Sequence, residues 1–232
     1  FLCFIKIFFF DLDDTLWAFS LNARDTYEEM YWKYGYDRYF DSFEHYYSLY
    51  QRRNLDLWAE YADGKVTKEE LNRQRYLYPL EAVGAGDSTL AKAYERDALT
   101  MIPTKSKLMP HAREVLEYLS RKYNLYILSN GFKELQSHKM RSSGIDEYFK
   151  KVVLSDDIGI LKPWPEIFHF ALSTTQSELN NSLMIGDSWE NDIVGAAGVG
   201  MHQVFYNLSG RIDLPFAPTY QITDLKDLFN FL

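Results

Sequence analysis

Cysteine is almost missing from this chain: Cys3 is the single one in 232 residues, so no internal disulfide can form. A lone thiol inside an apolar run is expected to be an inert core side chain, and it fits a reducing, cytoplasmic setting. Positive charge is also short. There are 25 Lys and Arg against 33 Asp and Glu, a net charge of −8. That balance speaks against broad electrostatic binding to a nucleic-acid polymer or an anionic membrane surface. An anionic substrate would have to be met by a local positive group. No apolar run reaches the length of a bilayer span. The opening segment Phe1–Phe10 has no basic leader and no small-residue cleavage site, and it runs straight into acidic residues. It is expected to be a strand rather than an export signal. Position 1 is not Met, which leaves the native N-terminus open. The chain has no internal repeat and no low-complexity tract. Its five histidines (His45, His111, His138, His169 and His202) show no metal-ligand spacing. No Ser/His/Asp set stands out, which lowers the odds of acyl transfer.

What is present is enough for a large core, since 47% of the residues are hydrophobic. The run Phe4–Phe10 ends in Asp11-Leu12-Asp13-Asp14-Thr15. A continuous apolar run bounded by a polar turn reads as a strand buried on both faces of a parallel sheet. The carboxyl edge of such a sheet is where α/β folds bind ligands. Carboxylates crowded there repel one another and call for a cation, with Mg²⁺ the natural partner of oxygen ligands.

From about Ser20 to Leu99 no convincing strand appears. Tyr27, Met30, Tyr31 and Tyr34 recur at helical spacing. A second helix is expected over Ser42–Tyr61. The pattern Thr67-Lys-Glu-Glu70 reads as a capping box opening a third, and Asp87-Ser88 caps a fourth running to about Met101. From Pro110 helices and strands alternate. Strands are expected at Leu125–Leu128, Val152–Leu154, Leu183–Ile185, Met201–Phe205 and Gln221-Ile222. Helices are expected at His111–Lys122, Lys133–Arg141, Pro165–Ser173, Glu190–Ala197 and beyond Asp224. This order predicts a Rossmann-like parallel α/β core, residues 1–17 and 105–232, with an all-helical, four-helix cap at 18–104 inserted over the site.

Four segments fall at expected strand ends: Asp11–Thr15, Ser129-Asn130, Lys162-Pro163 and Gly186-Asp187 to Asp192. Together they suit phosphoryl transfer. Asp11 would attack phosphorus. Asp13 would protonate the leaving oxygen and then activate water. Asp11 and Asp187 would hold Mg²⁺, supported by Asp192. Lys162 would neutralise Asp11 and the phosphoryl group. Thr15, Ser129 and nearby backbone amides would bind phosphate oxygens, and Asn130 is placed with them as a substrate-binding candidate. Each residue also has a plainer role. Asp14 could simply bind backbone in its turn, Lys162 alone would be a surface lysine, and Asp192 could be a helical surface acid.

The four segments, in this order, resemble the motifs of the haloacid dehalogenase superfamily. The resemblance covers nearly the whole chain. It implies a Rossmann-like core, an Mg²⁺-dependent aspartyl-phosphate mechanism, and metal ligation by the backbone carbonyl of Asp13. The start Asp-Leu-Asp-Asp-Thr-Leu-Trp and the cap length are most similar to small-molecule phosphatases that include 5′-nucleotidases for pyrimidine and non-standard nucleotides. The expected substrate is then a small phosphorylated metabolite, with nucleoside 5′-monophosphates among the candidates, and the expected state is a monomer. A dehalogenase, a phosphosugar phosphatase or mutase, a phospho-receiver switch and a binding protein on a dead scaffold are the rival readings. In the cap, Arg53 and Arg75 fall on apolar stripes. A charge there needs a partner or a wet cleft. The plain answer is a salt bridge to a neighbouring Glu, and the sharper one is that one of them faces substrate. The tyrosines Tyr27, Tyr31 and Tyr34 are expected to be core rather than a base-stacking platform.

Overall fold

A computed structural model describes residues 4–232, so Cys3 lies outside the described residues. The chain divides into two compact units, one of Phe1–Phe19 with Ser106–Leu232 and one of Ser20–Lys105. Among the described residues no helix is long and apolar enough to cross a membrane.

The discontinuous unit is built on six parallel strands: β1 (Ile7–Phe10), β2 (Asn124–Ser129), β3 (Lys151–Leu154), β4 (Ser182–Gly186), β5 (His202–Tyr206) and β6 (Tyr220–Ile222). Their order across the sheet is β3-β2-β1-β4-β5-β6. The register puts Phe10 beside Ile127 of β2 and Ile185 of β4. β1 is therefore central, and its side chains are buried on both faces. Ile7 and Phe9 join Tyr126, Leu128 and Met184 on one side, packed on Ile167, Phe168 and Ala171. On the other side Phe8 meets Tyr123, with ring centroids 4.7 Å apart. Burying each such phenylalanine contributes about 1.5–3 kcal/mol, which is why the central strand is nearly all aromatic.

The Ser20–Lys105 unit contains most of α1 (Phe19–Lys33), then α2 (Phe43–Ala62), α3 (Lys68–Ala82) and α4 (Ser88–Met101). Its core is tyrosine-rich, with Tyr27, Tyr31, Tyr36, Tyr46, Tyr76 and Tyr94 all buried. Buried phenols need partners. Tyr27 and Tyr50 share a hydroxyl contact of 2.6 Å, and Tyr94 donates to the Tyr27 carbonyl at 2.9 Å. The expected capping box of α3 is half formed. Thr67 Oγ1 accepts from the Glu70 amide at 3.2 Å, but the Glu70 carboxylate turns to Arg73 and Gln74.

The remaining helices of the sheet unit are α5 (Ala112–Ser120), α6 (Lys133–Ser143), α7 (Pro165–Thr175) and the short α8 (Gly195–Gly198). Two expected helices differ in kind. Trp189–Val194 winds as a π-helix ahead of α8. The segment after Asp224 is a 3-10 helix over Leu225–Asn230, capped by the Asp224 carboxylate.

Candidate active site

The sheet's carboxyl ends bring the four sequence segments to one place. Asp11 follows β1, and its amide donates to the Ile185 carbonyl of β4 at 2.9 Å. Asp187 follows β4, and Ser129 closes β2. Strand order reverses at β1, with β2 and β3 on one side and β4 on the other, which is where doubly wound sheets open a crevice. The turn after β1 is held by an Asp14 amide donating to the Trp17 carbonyl at 2.7 Å. Asp14 sits at φ 58°, a left-handed conformation that Asp tolerates better than most side chains.

Lys162 organises the centre. Its ammonium is 2% exposed and donates to Asp11 Oδ1 at 2.7 Å, Asp192 Oδ1 at 2.6 Å and the Leu128 carbonyl at 2.8 Å. An ammonium has three protons, and all three are committed. Lys162 is therefore a positive charge held next to Asp11, with no proton left over for another acceptor. Burial on its own would lower the lysine pKa, but Asp11 and Asp192 outweigh it and hold it above the ordinary range. Asp192 is fully buried, and its second oxygen accepts from the Ser188 amide at 3.1 Å. The π turn is what brings Asp192 back to that amide: Asp192 N and Ile193 N both donate to the Ser188 carbonyl. Gly186 leaves the room, since a Cβ there would lie 2.1 Å from Asp192 Oδ2.

Asp11, Asp187 and Asp192 each offer a carboxylate oxygen, all within 4.8 Å of one another. Asp11 is raised well above the ordinary carboxylate range, first by burial, then by Asp192 and Asp187, with Lys162 opposing. Asp187 is pushed up to about 7, first by burial and then by Asp192. Lys162 pairs with Asp11 and Asp192, so in their ionised forms the three carboxylates carry two more charges than the one ammonium beside them. A divalent cation carries that charge, and hard oxygen donors suit it, so the set fits such an ion.

The remaining site candidates divide by what their atoms already hold. The Thr15 hydroxyl donates to Asp187 Oδ1 at 2.8 Å and accepts from the Asp187 amide at 3.1 Å. Its one proton is spent on Asp187, so it orients that carboxylate rather than reaching phosphate. Asn130 is likewise engaged, donating to the Lys162 carbonyl at 3.0 Å and accepting from the Lys162 amide at 2.8 Å. It fixes the backbone of the lysine. Ser129 Oγ accepts from the Gly131 amide at 3.1 Å and from Gln136 Nε2 at 2.7 Å. With both lone pairs filled, its proton is the group left to donate.

Asp13 stands apart from the triad. Its carboxylate meets the Lys139 ammonium at 2.8 and 3.0 Å and Gln136 Nε2 at 2.9 Å. Sequence reasoning missed both partners. Their signal was their spacing, three apart on one helix face, but charged and amide side chains on a helix ordinarily read as solvated. In the helical insertion, Arg53 pairs with Glu60 at 2.8 Å and donates to Gln74. Arg75 is 5% exposed, lies against the Tyr76 ring and donates to Asn72 and, at 3.4 Å, to Asn54. These contacts engage both cations within their own unit.

Comparison with known proteins agrees with this geometry. The family model for haloacid dehalogenase-like hydrolases matches residues 5–200. YjjG of Escherichia coli, a pyrimidine 5′-nucleotidase, is 29% identical over 97% of this chain and 96% of its own. A glyceraldehyde 3-phosphate phosphatase of Pyrococcus furiosus is 31% identical over 98% of this chain and 93% of its own. The crystal structure of YfnB from Bacillus subtilis bound to magnesium superposes with a TM-score of 0.87 at 26% identity, covering 98% of each chain.

Proposed function

The chain belongs to the haloacid dehalogenase-like hydrolases, and from that footing we propose that it is an Mg²⁺-dependent, cytoplasmic phosphomonoesterase acting through an aspartyl phosphate. The substrate class is a small phosphorylated metabolite, with nucleoside 5′-monophosphates the leading candidates. One observation carries the reading: two carboxylates two residues apart have separate company. Asp11 lies in the acidic triad against Lys162, and Asp13 lies outside it against Lys139. This separate company supports reading Asp11 as the nucleophile and Asp13 as the acid and base.

Asp11, Asp187 and Asp192 would hold Mg²⁺, with the Asp13 carbonyl as a family-implied ligand. When bound, the ion neutralises charge on the phosphoryl oxygens. An Asp11 oxygen attacks phosphorus while the ester P–O bond breaks, and the Asp13 carboxyl gives its proton to the leaving oxygen. Asp13, now a carboxylate, takes a proton from water. The water oxygen attacks phosphorus, the Asp11–phosphorus bond breaks, and inorganic phosphate leaves. Ser129 is left with a proton to donate to a phosphoryl oxygen. Lys162 opposes the rise that burial gives the Asp11 pKa and so favours its carboxylate form. A dehalogenase needs neither a metal nor a leaving-group acid, so Asp13 and Asp187 together favour phosphate. The YjjG and Pyrococcus furiosus relatives support a phosphorylated substrate without choosing between a nucleotide and a sugar phosphate.

The test is phosphate release from a panel of nucleoside monophosphates and sugar phosphates, with Mg²⁺ and with EDTA. Metal-dependent release favouring nucleotides is expected. Release from sugar phosphates alone would keep the mechanism and reject the nucleotidase assignment. A requirement for a bisphosphate activator would point to a mutase.

A further inference from the structure

The inner stripe of α6 is unusual for a helix packed on a sheet. Its buried residues are Gln136, Lys139, Met140 and Ser143, so three of the four are polar. Lys139 is 3% exposed. An ammonium taken from water is strongly destabilising unless it is paired. Asp13 is the one carboxylate that Lys139 pairs with among the described residues, through both oxygens. The rest of its surroundings are aromatic, with Trp17 and Phe19 ring centroids 4.8 and 5.0 Å from Nζ. Gln136 completes the arrangement. Its amide nitrogen donates to Asp13 Oδ2 at 2.9 Å and to Ser129 Oγ at 2.7 Å, so one side chain spans two site residues. It lies under Gly131, where a Cβ would come 1.9 Å from Gln136 Nε2. Apolar side chains would fill this stripe with less desolvation, so stability alone does not account for the choice.

We propose that Lys139 and Gln136 are positioning residues that hold the Asp13 carboxylate in a single orientation, with Lys139 fixing both oxygens and Gln136 tying Asp13 to Ser129. The inference rests on the acid–base role of Asp13 stated above. Neither residue meets the substrate. Both act through Asp13, and Gln136 also sets the direction in which Ser129 can donate. A carboxyl that must give a proton to the leaving oxygen and then take one from water loses rate steeply when misplaced, by about 100-fold per ångström.

The experiment compares Lys139→Met, Lys139→Arg, Asp13→Asn and the double variant Lys139→Met with Asp13→Asn. Each is assayed on a nucleoside 5′-monophosphate and on p-nitrophenyl phosphate, whose leaving group departs without a proton. Lys139→Met is expected to lose about 10- to 100-fold in kcat/KM on the nucleotide and clearly less on the aryl ester. Lys139→Arg should restore most of that loss. In the Asp13→Asn background, Lys139→Met should change kcat by less than about twofold, since groups acting as a unit are not additive. The melting temperature of Lys139→Met should stay near that of the parent, because the Asp13 side chain is 25% exposed and can be rehydrated. An Asp13→Asn variant with parental turnover would refute the acid–base reading and the proposal with it. With Asp13→Asn reduced to a measurable residual turnover, an unchanged Lys139→Met refutes the positioning role. So does an equal loss on both substrates, or a loss that adds in the double variant.

Discussion

Replacing Lys162 by Met keeps most of the aliphatic stem and removes the charge. In the folded protein the ammonium is 2% exposed and donates to two carboxylates and a carbonyl. Its loss leaves Asp11 and Asp192 as buried neighbours with no cation between them. Breaking a buried ion pair from one side costs about 3–5 kcal/mol. In a chain of this size, each kcal/mol moves the melting temperature by about 2–4 °C. The expected drop is therefore about 6–20 °C in EDTA, where no metal can compensate. A second substitution should relieve the loss. Adding Asp192→Asn to Lys162→Met removes one of the stranded charges at nearly constant volume, and should recover at least half of the loss. The assay does not depend on activity: it is thermal unfolding followed by circular dichroism, in EDTA and again in excess Mg²⁺. A single variant melting within about 2 °C of the parent would mean that the ammonium is not what makes the acidic cluster tolerable. A double variant melting below the single one would mean the same.

Other outcomes follow from the same geometry. Mg²⁺ at about 100 times its dissociation constant should stabilise the protein by about 2.7 kcal/mol, and Asp187→Asn should abolish the shift, as read by differential scanning fluorimetry. Gly186→Ala places a Cβ 2.1 Å from Asp192 Oδ2, so Mg²⁺ affinity measured by activity titration should fall by roughly tenfold or more. Glu70 is lowered to about 2 from an ordinary 4.5, first by hydrogen bonds from Arg73 and Gln74. Its folded pKa lies below its unfolded one, so its contribution is present above pH 4.5 and fades as pH falls toward 2. Glu70→Gln should therefore trail the parent by less than about 1 kcal/mol in urea unfolding at neutral pH, and the gap should close on acidification. Arg75→Ala should lower the melting temperature and leave KM unchanged, because its contacts are with Asn54, Asn72 and Tyr76. A raised KM with an intact melting temperature would instead assign Arg75 to the substrate.

The strands of the sheet were legible because buried parallel strands advertise themselves as short apolar runs with polar ends. Phe8, Phe9 and Phe10 ending at Asp11 leave little room for another reading. The site's carboxylates were legible for a related reason: Asp11 and Asp187 stand at strand ends, where topology alone brings them together. The division of labour among the supporting residues was not. Position groups Thr15 and Asn130 with the phosphate binders, yet Thr15 bonds Asp187 and Asn130 bonds the Lys162 backbone. A side chain's partner 172 residues away, as for Thr15 and Asp187, or 32 away, as for Asn130 and Lys162, leaves no trace in local pattern. Lys139 and Gln136 were hidden by the same principle, since burial of a polar stripe depends on what the helix meets. The π turn escaped because its sequence has ordinary helical character. Its extra residue per turn follows from the reach of Asp192 to Ser188.

The central strand has a consequence for how the chain is made. β1 pairs with β2 and β4, whose partner residues Asn124 and Ser182 come roughly 120 and 175 positions after Ile7. Closing so long a loop is thermodynamically mild, since each doubling of length adds about 0.6 kcal/mol. The difficulty is one of time. During synthesis Phe8, Phe9 and Phe10 emerge before every other strand of this sheet and wait, through the whole of the helical insertion, for the strands that will cover their edges. The most apolar segment of the sheet is thus the one longest without neighbours, and an unpaired aromatic strand is a template for association with other chains. Lys6 before it and the acidic turn after it are charged gatekeepers of the kind that oppose such association.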